Sequence, residues 1–368
     1  MPYSDRDILT LYENLELDII KKMKTRLTAM QLANVKKTDI DRWVASQMSQ
    51  LQKFKRDTAT LIKRYNKTIQ KETQKNLLQQ YQESRAKELK RVIRNYGKSE
   101  RFKDAIASVS VNDITGLNDR RMVALLSAVK SDTEKALTSI FRKTEDQYRQ
   151  TIFKSAAEFN AGTVTLPQAV DNAQRDFLAQ GINSITYKNG HEVNIRSYAE
   201  MALRTNGNRA ALQGAATLRN QIGLYYVEVS SHGTICPACA AWSGQIVIDD
   251  VYQDGKDDGK YPLLSDAIAS GLLHPNCRCT LLAVDPEIDG ERPSISYTTK
   301  DEEKYNNQQH QRKLERDVRA YKRLAAGSTD PDTIKAYNLK VRNKQAELRD
   351  FIDKHNDYLI RQYDREKI

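Results

Sequence analysis

All four cysteines of this 368-residue chain lie in one stretch, as Cys236-Pro-Ala-Cys239 and Cys277-Arg-Cys279, with His232 and His274 beside them. No other feature restricts the fold so strongly. In Cys236-x-x-Cys239 two thiolates face one point from a tight turn. In Cys277-Arg-Cys279 they share one face of an extended strand, where the side-chain period is two. Two such pairs complete a tetrahedral sulfur site for Zn²⁺, and His274 can replace one sulfur, Cys277 first among them. His232 is also within reach. A closed four-ligand site leaves no position for water or substrate, so such an ion is structural. Its binding contributes directly to folding a module whose sheet is too small to bury much surface. Other readings of the same residues stay open. Four reduced thiols can pack as small hydrophobes without metal. A redox Cys-x-x-Cys needs a strand–helix context that is missing here. A Cys–His nucleophile needs a third orienting group, and none is recognisable.

Outside this stretch the pattern is helical. Charged residues make up 29% and apolar residues 39%, and the mean hydropathy is −0.70. That balance suits long helices with much exposed surface rather than one large core. No run approaches the 18 apolar residues of a membrane span. The start has no apolar signal-type segment, which implies synthesis in a reducing cytosol and favours metal or redox roles for paired cysteines over disulfides.

Apolar residues at three- and four-residue steps predict a helix over 4–32, capped by Ser4 or Asp5. A second begins at Thr38 or Asp39 and meets no Pro or Gly until Gly97. At up to about 58 residues it would be about 87 Å long, the length of a coiled-coil or partner-spanning element. Further helices are expected over 118–160, from Thr165 to about 179, and from Ser197 to about 221. Between the last two, Ile182–Lys188 and His191–Ile195 flank Asn189-Gly190, a turn pair that accepts positive φ at both positions, and so predict a β-hairpin. Strands are expected over 224–229, 245–248 and 278–284, with a turn at 254–260 and a short helix at 263–271. The helical pattern resumes at Asp301. Asp330-Pro331 caps a final helix that Tyr358, Leu359 and Tyr363 carry to the end. The expected fold is mainly α with a small α+β module. It comprises a long-helix basic arm (1–160), a zinc-clasped β-containing module (161–295) and a C-terminal helical hairpin (300–368).

The net charge of +11 is uneven: residues 53–98 hold 14 Lys and Arg against 4 Asp and Glu. Such a stripe suits a polyanion, nucleic acid first. Lys53, Lys55, Arg56, Lys63, Arg64, Lys67, Lys71 and Lys75 are the expected phosphate contacts. A solvated helix face, or one that pairs with an acidic protein, has the same composition.

Four motifs carry a resemblance over about 198–322. They are Tyr198-Ala-Glu-Met-Ala-Leu-Arg204-Thr205 with its Ala-rich helix, and Val227-Glu-Val-Ser-Ser-His232 running through the first cysteine pair to Trp242-Ser-Gly244. The third is His274-Pro-Asn-Cys-Arg-Cys279, and the fourth a charged helix from Gln308 through Arg312, Glu315, Arg316 and Arg319 to Lys322. The chain thereby resembles tailed-phage minor capsid proteins of the minor capsid protein 2 and Mu F-like head-morphogenesis group. Some similar proteins carry His where this chain has Cys239 or Cys279, an exchange a zinc site tolerates. The resemblance implies a non-enzymatic virion protein, made in the host cytoplasm and carried inside the phage head. It implies partners in the portal protein, in capsid or scaffold proteins, and in double-stranded DNA held without sequence preference. Two alternatives belong to other classes. Arg204-Thr205 followed by a strand with Glu228 faintly suggests an ADP-ribosyltransferase, although Ser-Thr-Ser and Glu-x-Glu patterns are missing. A free-standing zinc-dependent nucleic-acid binder is the other.

Overall fold

The computed structural model describes residues 4–29, 34–109, 119–186, 192–230, 236–290 and 296–368. The fold is mainly α with a small three-stranded antiparallel sheet. The chain forms two compact units, each built from separated stretches: residues 1–5, 71–131 and 200–307 make one, and 6–70, 132–199 and 308–368 the other.

The first unit holds the Cys/His stretch. Strands β3 (Tyr226–Ser230), β4 (Ile246–Ile248) and β5 (Thr280–Ala283) form a sheet in the order β4-β3-β5, every pair antiparallel. The period-two pattern of β3 turns Val227 and Val229 inward. There they pack with Val247, Leu264, Leu272, Leu281 and three of the cysteines. Helix α6 (Ile195–Ile222) packs through residues 200–222 against residues 71–96 of α2 (Ile40–Tyr96), and small residues make that possible. A Cβ at Gly214 would lie 2.1 Å from the Tyr81 carbonyl oxygen, so only glycine fits there. Leu77, Tyr81, Met122 and Ala210 fill the seam. Fully buried Arg219, at an otherwise apolar position of α6, donates to Glu88 (2.9 Å) and Asp249 (3.3 Å). Short helices α3 (Lys103–Ser108), α7 (Pro237–Ala240), α8 (Leu264–Ala269) and α9 (Pro286–Asp289) complete this unit; α8 is the short helix expected over 263–271.

The second unit is a helical assembly. It contains α1 (Asp5–Leu27) from Arg6 on, the first part of α2, α4 (Arg120–Ala161) from Asp132 on, and α5 (Leu166–Gln180). It also contains α10 (Thr299–Gly327) from Gln308 on, and α11 (Pro331–Lys354). Ile8, Leu15, Ile19, Ile20 and Met23 of α1 are buried, as the three- and four-residue spacing requires. Phe54 stacks on Tyr148 at 4.6 Å. A capping box between Thr165 and Gln168 opens α5, with proline in its first turn. The expected hairpin is present as β1 (Asn183–Thr186) paired antiparallel with β2 (Glu192–Asn194); its Asn189-Gly190 turn lies outside the described residues. Buried Glu16 accepts from the Ile182 N–H and from Asn194 Nδ2, both at 2.9 Å, which ties α1 to this hairpin.

The last helix is shorter than its sequence pattern. It stops at Lys354, and Tyr358, Leu359 and Tyr363 lie beyond it. His355 leaves the helical region (φ −128°, ψ 33°). The chain then turns back so that Leu359 packs on Leu314, Leu348 and Ile352. Buried Glu366 anchors the end: Arg361 reaches it at 2.7 Å and Gln345 at 2.8 Å. Tertiary packing thus overrides the apolar spacing.

Candidate metal centre and basic helix face

Each donor in the Cys/His cluster is set by a short local structure. Cys236 precedes α7 in extended conformation with Pro237 at the first helical position, and the Cys239 N–H closes the turn on the Cys236 carbonyl at 3.1 Å. One turn therefore brings both sulfurs to the same side. Residues His274 and Cys277 close a second turn, Cys277 N–H to His274 carbonyl at 2.9 Å. The Cys277/Cys279 pair lies just ahead of β5 rather than within it, because the strand begins at Thr280. There Thr280 pairs with Ser230, the last residue of β3.

Two overlapping donor groups result, Cys236–Cys239–His274 and Cys239–Cys277–Cys279, with the ligand atoms of each group within 4.8 Å of one another. Cys239, fully buried, belongs to both. Its sulfur is 3.5 Å from that of Cys277. Sulfurs at the corners of a tetrahedron around zinc, with bonds of about 2.3 Å, stand about 3.8 Å apart, so the spacing matches. Cys236 Sγ lies 3.0 Å from His274 Nε2. His274 Nδ1 donates to the Pro275 carbonyl at 2.7 Å. That bond fixes the neutral ring's lone pair on Nε2, the orientation a metal-ligating histidine needs. The Cys279 N–H donates to Cys277 Sγ at 3.3 Å. The Cys239 thiol is pushed up, chiefly by its hydrogen bond to Cys277, and that same bond is the main cause that holds Cys277 low. A bound cation would favour the thiolate form of these buried sulfurs. These groups can hold a metal ion. Of the residues read from sequence, Cys236, Cys239, His274, Cys277 and Cys279 come together; His232 lies outside the described residues.

The eight basic residues divide into two sets. Lys55 is half-buried and bonded to Glu145 at 2.6 Å; Lys75 pairs with Glu72 at 3.5 Å; Arg64 lies 4.0 Å from Asp18 and over the Tyr65 ring. Lys53, Arg56, Lys63, Lys67 and Lys71 are exposed and have no ion-pair partner among the described residues. In the second unit, Lys53, Arg56, Lys63 and Lys67 step by three, seven and four residues and so share one face of α2. That face extends about 21 Å at 1.5 Å per residue. Among the described residues, no helix is long and apolar enough to cross a membrane.

Sequence reasoning missed two features of the first unit. Arg219 had a signal: it occupies an apolar step between Ala215 and Ile222, although a solvent-reaching arginine there would read the same. The left-handed backbone of Asn276 (φ 69°) had none beyond the tolerance of Asn for that region.

No curated protein and no solved structure matches the chain. The family model for phage minor capsid protein 2 matches residues 3–353, a span that covers most of both compact units and extends well beyond the four motifs. A capsid family gives the protein a virion location and other capsid proteins as partners. The chain belongs to the phage minor capsid protein 2 family and is a structural protein of the phage head.

Proposed function

We propose that this protein is a portal-associated component of the phage head that contacts packaged double-stranded DNA through α2. The observation that carries the DNA reading is the row of exposed cations without ion-pair partners among the described residues, Lys53, Arg56, Lys63 and Lys67, with Lys71 following in sequence. A free cation that neutralises a phosphate releases a counterion condensed on the DNA, a cation committed to a carboxylate contributes little to this, and phosphate contacts read no base edges. Portal association rests on the family alone. The Cys/His cluster binds one structural Zn²⁺ through four of its five donors. Sulfur and imidazole donors at close to tetrahedral spacing support zinc over a hard cation, and five donors, enough to fill four places, support a clasp over a catalytic centre. The small sheet of β3, β4 and β5 with α8, inside the first unit, is the body that this clasp closes.

Binding of the full chain to mixed-sequence duplex DNA, measured across a salt series, tests the DNA reading. Four phosphate contacts give a slope of log K against log salt of about −3.6. Replacing Lys53, Arg56, Lys63 and Lys67 together by Gln should remove about that much of the slope. An unchanged slope in this variant, or wild-type binding indifferent to salt, contradicts it.

A further inference from the structure

We infer that three side chains of α6, Arg204, Thr205 and Asn208, are positioning residues for the Cys/His site. They hold the turn of residues 274–279 so that its donors meet Cys239. The inference rests on the metal reading above.

The turn carries two non-glycine residues on left-handed backbone. Asn276, between His274 and Cys277, has φ 69°, and Leu273, on the other side of His274, has φ 53°. Left-handed backbone at a non-glycine residue persists where its surroundings fix it. At Asn276 the surroundings come from α6. The Asn276 N–H donates to Thr205 Oγ1 at 3.0 Å, and Arg204 Nη1 donates to Asn276 Oδ1 at 2.7 Å. Arg204 is itself steadied by Glu200 at 2.8 Å. Four residues along α6 from Arg204, Asn208 Nδ2 donates to the Cys279 carbonyl at 3.1 Å. The backbone is therefore gripped just before Cys277 and at Cys279, and both sulfurs project from the segment between the two grips. Thr205 is buried, and none of the three residues belongs to either donor group. This gives the Arg204-Thr205 pair a task without any catalytic chemistry. It also makes α6 the splint that links the clasp to the helical part of the same unit.

Partners of this kind typically change metal affinity by about 10- to 100-fold when removed. The test uses the full chain and three variants. Thr205→Val keeps the shape but loses the acceptor, Thr205→Ser keeps the acceptor, and Asn208→Ala releases the second grip. Zn²⁺ affinity is read by competition with a chromogenic chelator, and the Co²⁺ absorption spectrum reports four-coordinate thiolate ligation. Thr205→Val and Asn208→Ala should each bind Zn²⁺ about 10-fold or more weakly and show an altered Co²⁺ spectrum. Thr205→Ser should match wild type, and helicity without metal should be unchanged in all three. Should Thr205→Val fail to fold, Asn208→Ala carries the test from the other grip. Wild-type affinity in Thr205→Val and Asn208→Ala overturns the positioning role and leaves the metal reading standing. A wild-type chain that takes up no metal overturns both.

Discussion

Cys239 is the residue on which the clasp turns, because it alone belongs to both donor groups. The others are partly redundant: five donors compete for four tetrahedral places. Cys239→Ser should therefore abolish uptake of Zn²⁺ at one per chain. Cys236→Ser should retain it at lower affinity, with His274 taking the outer place. Metal analysis of the purified variants checks this, and full loss in Cys236→Ser would mean that Cys236 is indispensable. The cysteines were legible in sequence because spacing alone restricts where two thiolates can point. The contacts that aim them were not legible. Asn276 and Thr205 meet across 71 positions of chain, and no local pattern marks such a pair.

At the scale of elements, the long helices were legible because nothing interrupts their apolar steps. The expected helix from residue 38 or 39 to Gly97 is α2, Ile40–Tyr96. How helices meet was less visible. Gly214 would read as a weak point in α6, where alanine should gain roughly 0.5–1 kcal/mol in helix propensity. The 2.1 Å approach to the Tyr81 carbonyl reverses that sign. Gly214→Ala must push α6 away from α2 within the first unit, at a net cost of about 1–3 kcal/mol. Urea unfolding followed by Trp242 fluorescence in a Trp43→Phe background reads that unit, and a stabilised variant would contradict the packing argument. The end of the chain went unread for the reason that overrode its spacing: Leu359 gains more by folding back onto Leu314, Leu348 and Ile352 than by extending α11. The fold-back is acid-sensitive. Burial pushes the Glu366 carboxyl up, but hydrogen bonds from Arg361 and Gln345 outweigh it and hold the group below its ordinary range. A carboxyl lowered in the folded state stabilises fully above its unfolded value of about 4.3. That contribution is lost as pH falls through the folded value. Hydrogen exchange over residues 355–368 should therefore quicken as pH drops below about 4.3, beyond the intrinsic change in exchange rate. Glu366→Gln should be loosened already at neutral pH and show little further acid effect; an identical acid response in this variant would contradict the assignment.

At the scale of the whole molecule, the two units are each assembled from three stretches, with boundaries inside helices. Helix periodicity says where a helix lies and nothing about which distant helix it joins, so this interleaving has no signature in a single sequence. The same limit explains why the resemblance could be argued only over about 198–322, while the family extends over 3–353. The helices outside the motifs carry periodicity and charge, which many long helices share. What those helices do with their charge is the central claim, and intact DNA-filled heads test it most directly. After protein–DNA cross-linking in purified virions, the adducts on this protein can be mapped by peptide. Adducts should concentrate on the α2 peptides that carry Lys53, Lys63 and Lys67. Heads in which other proteins take up DNA and these α2 peptides take up none would contradict it.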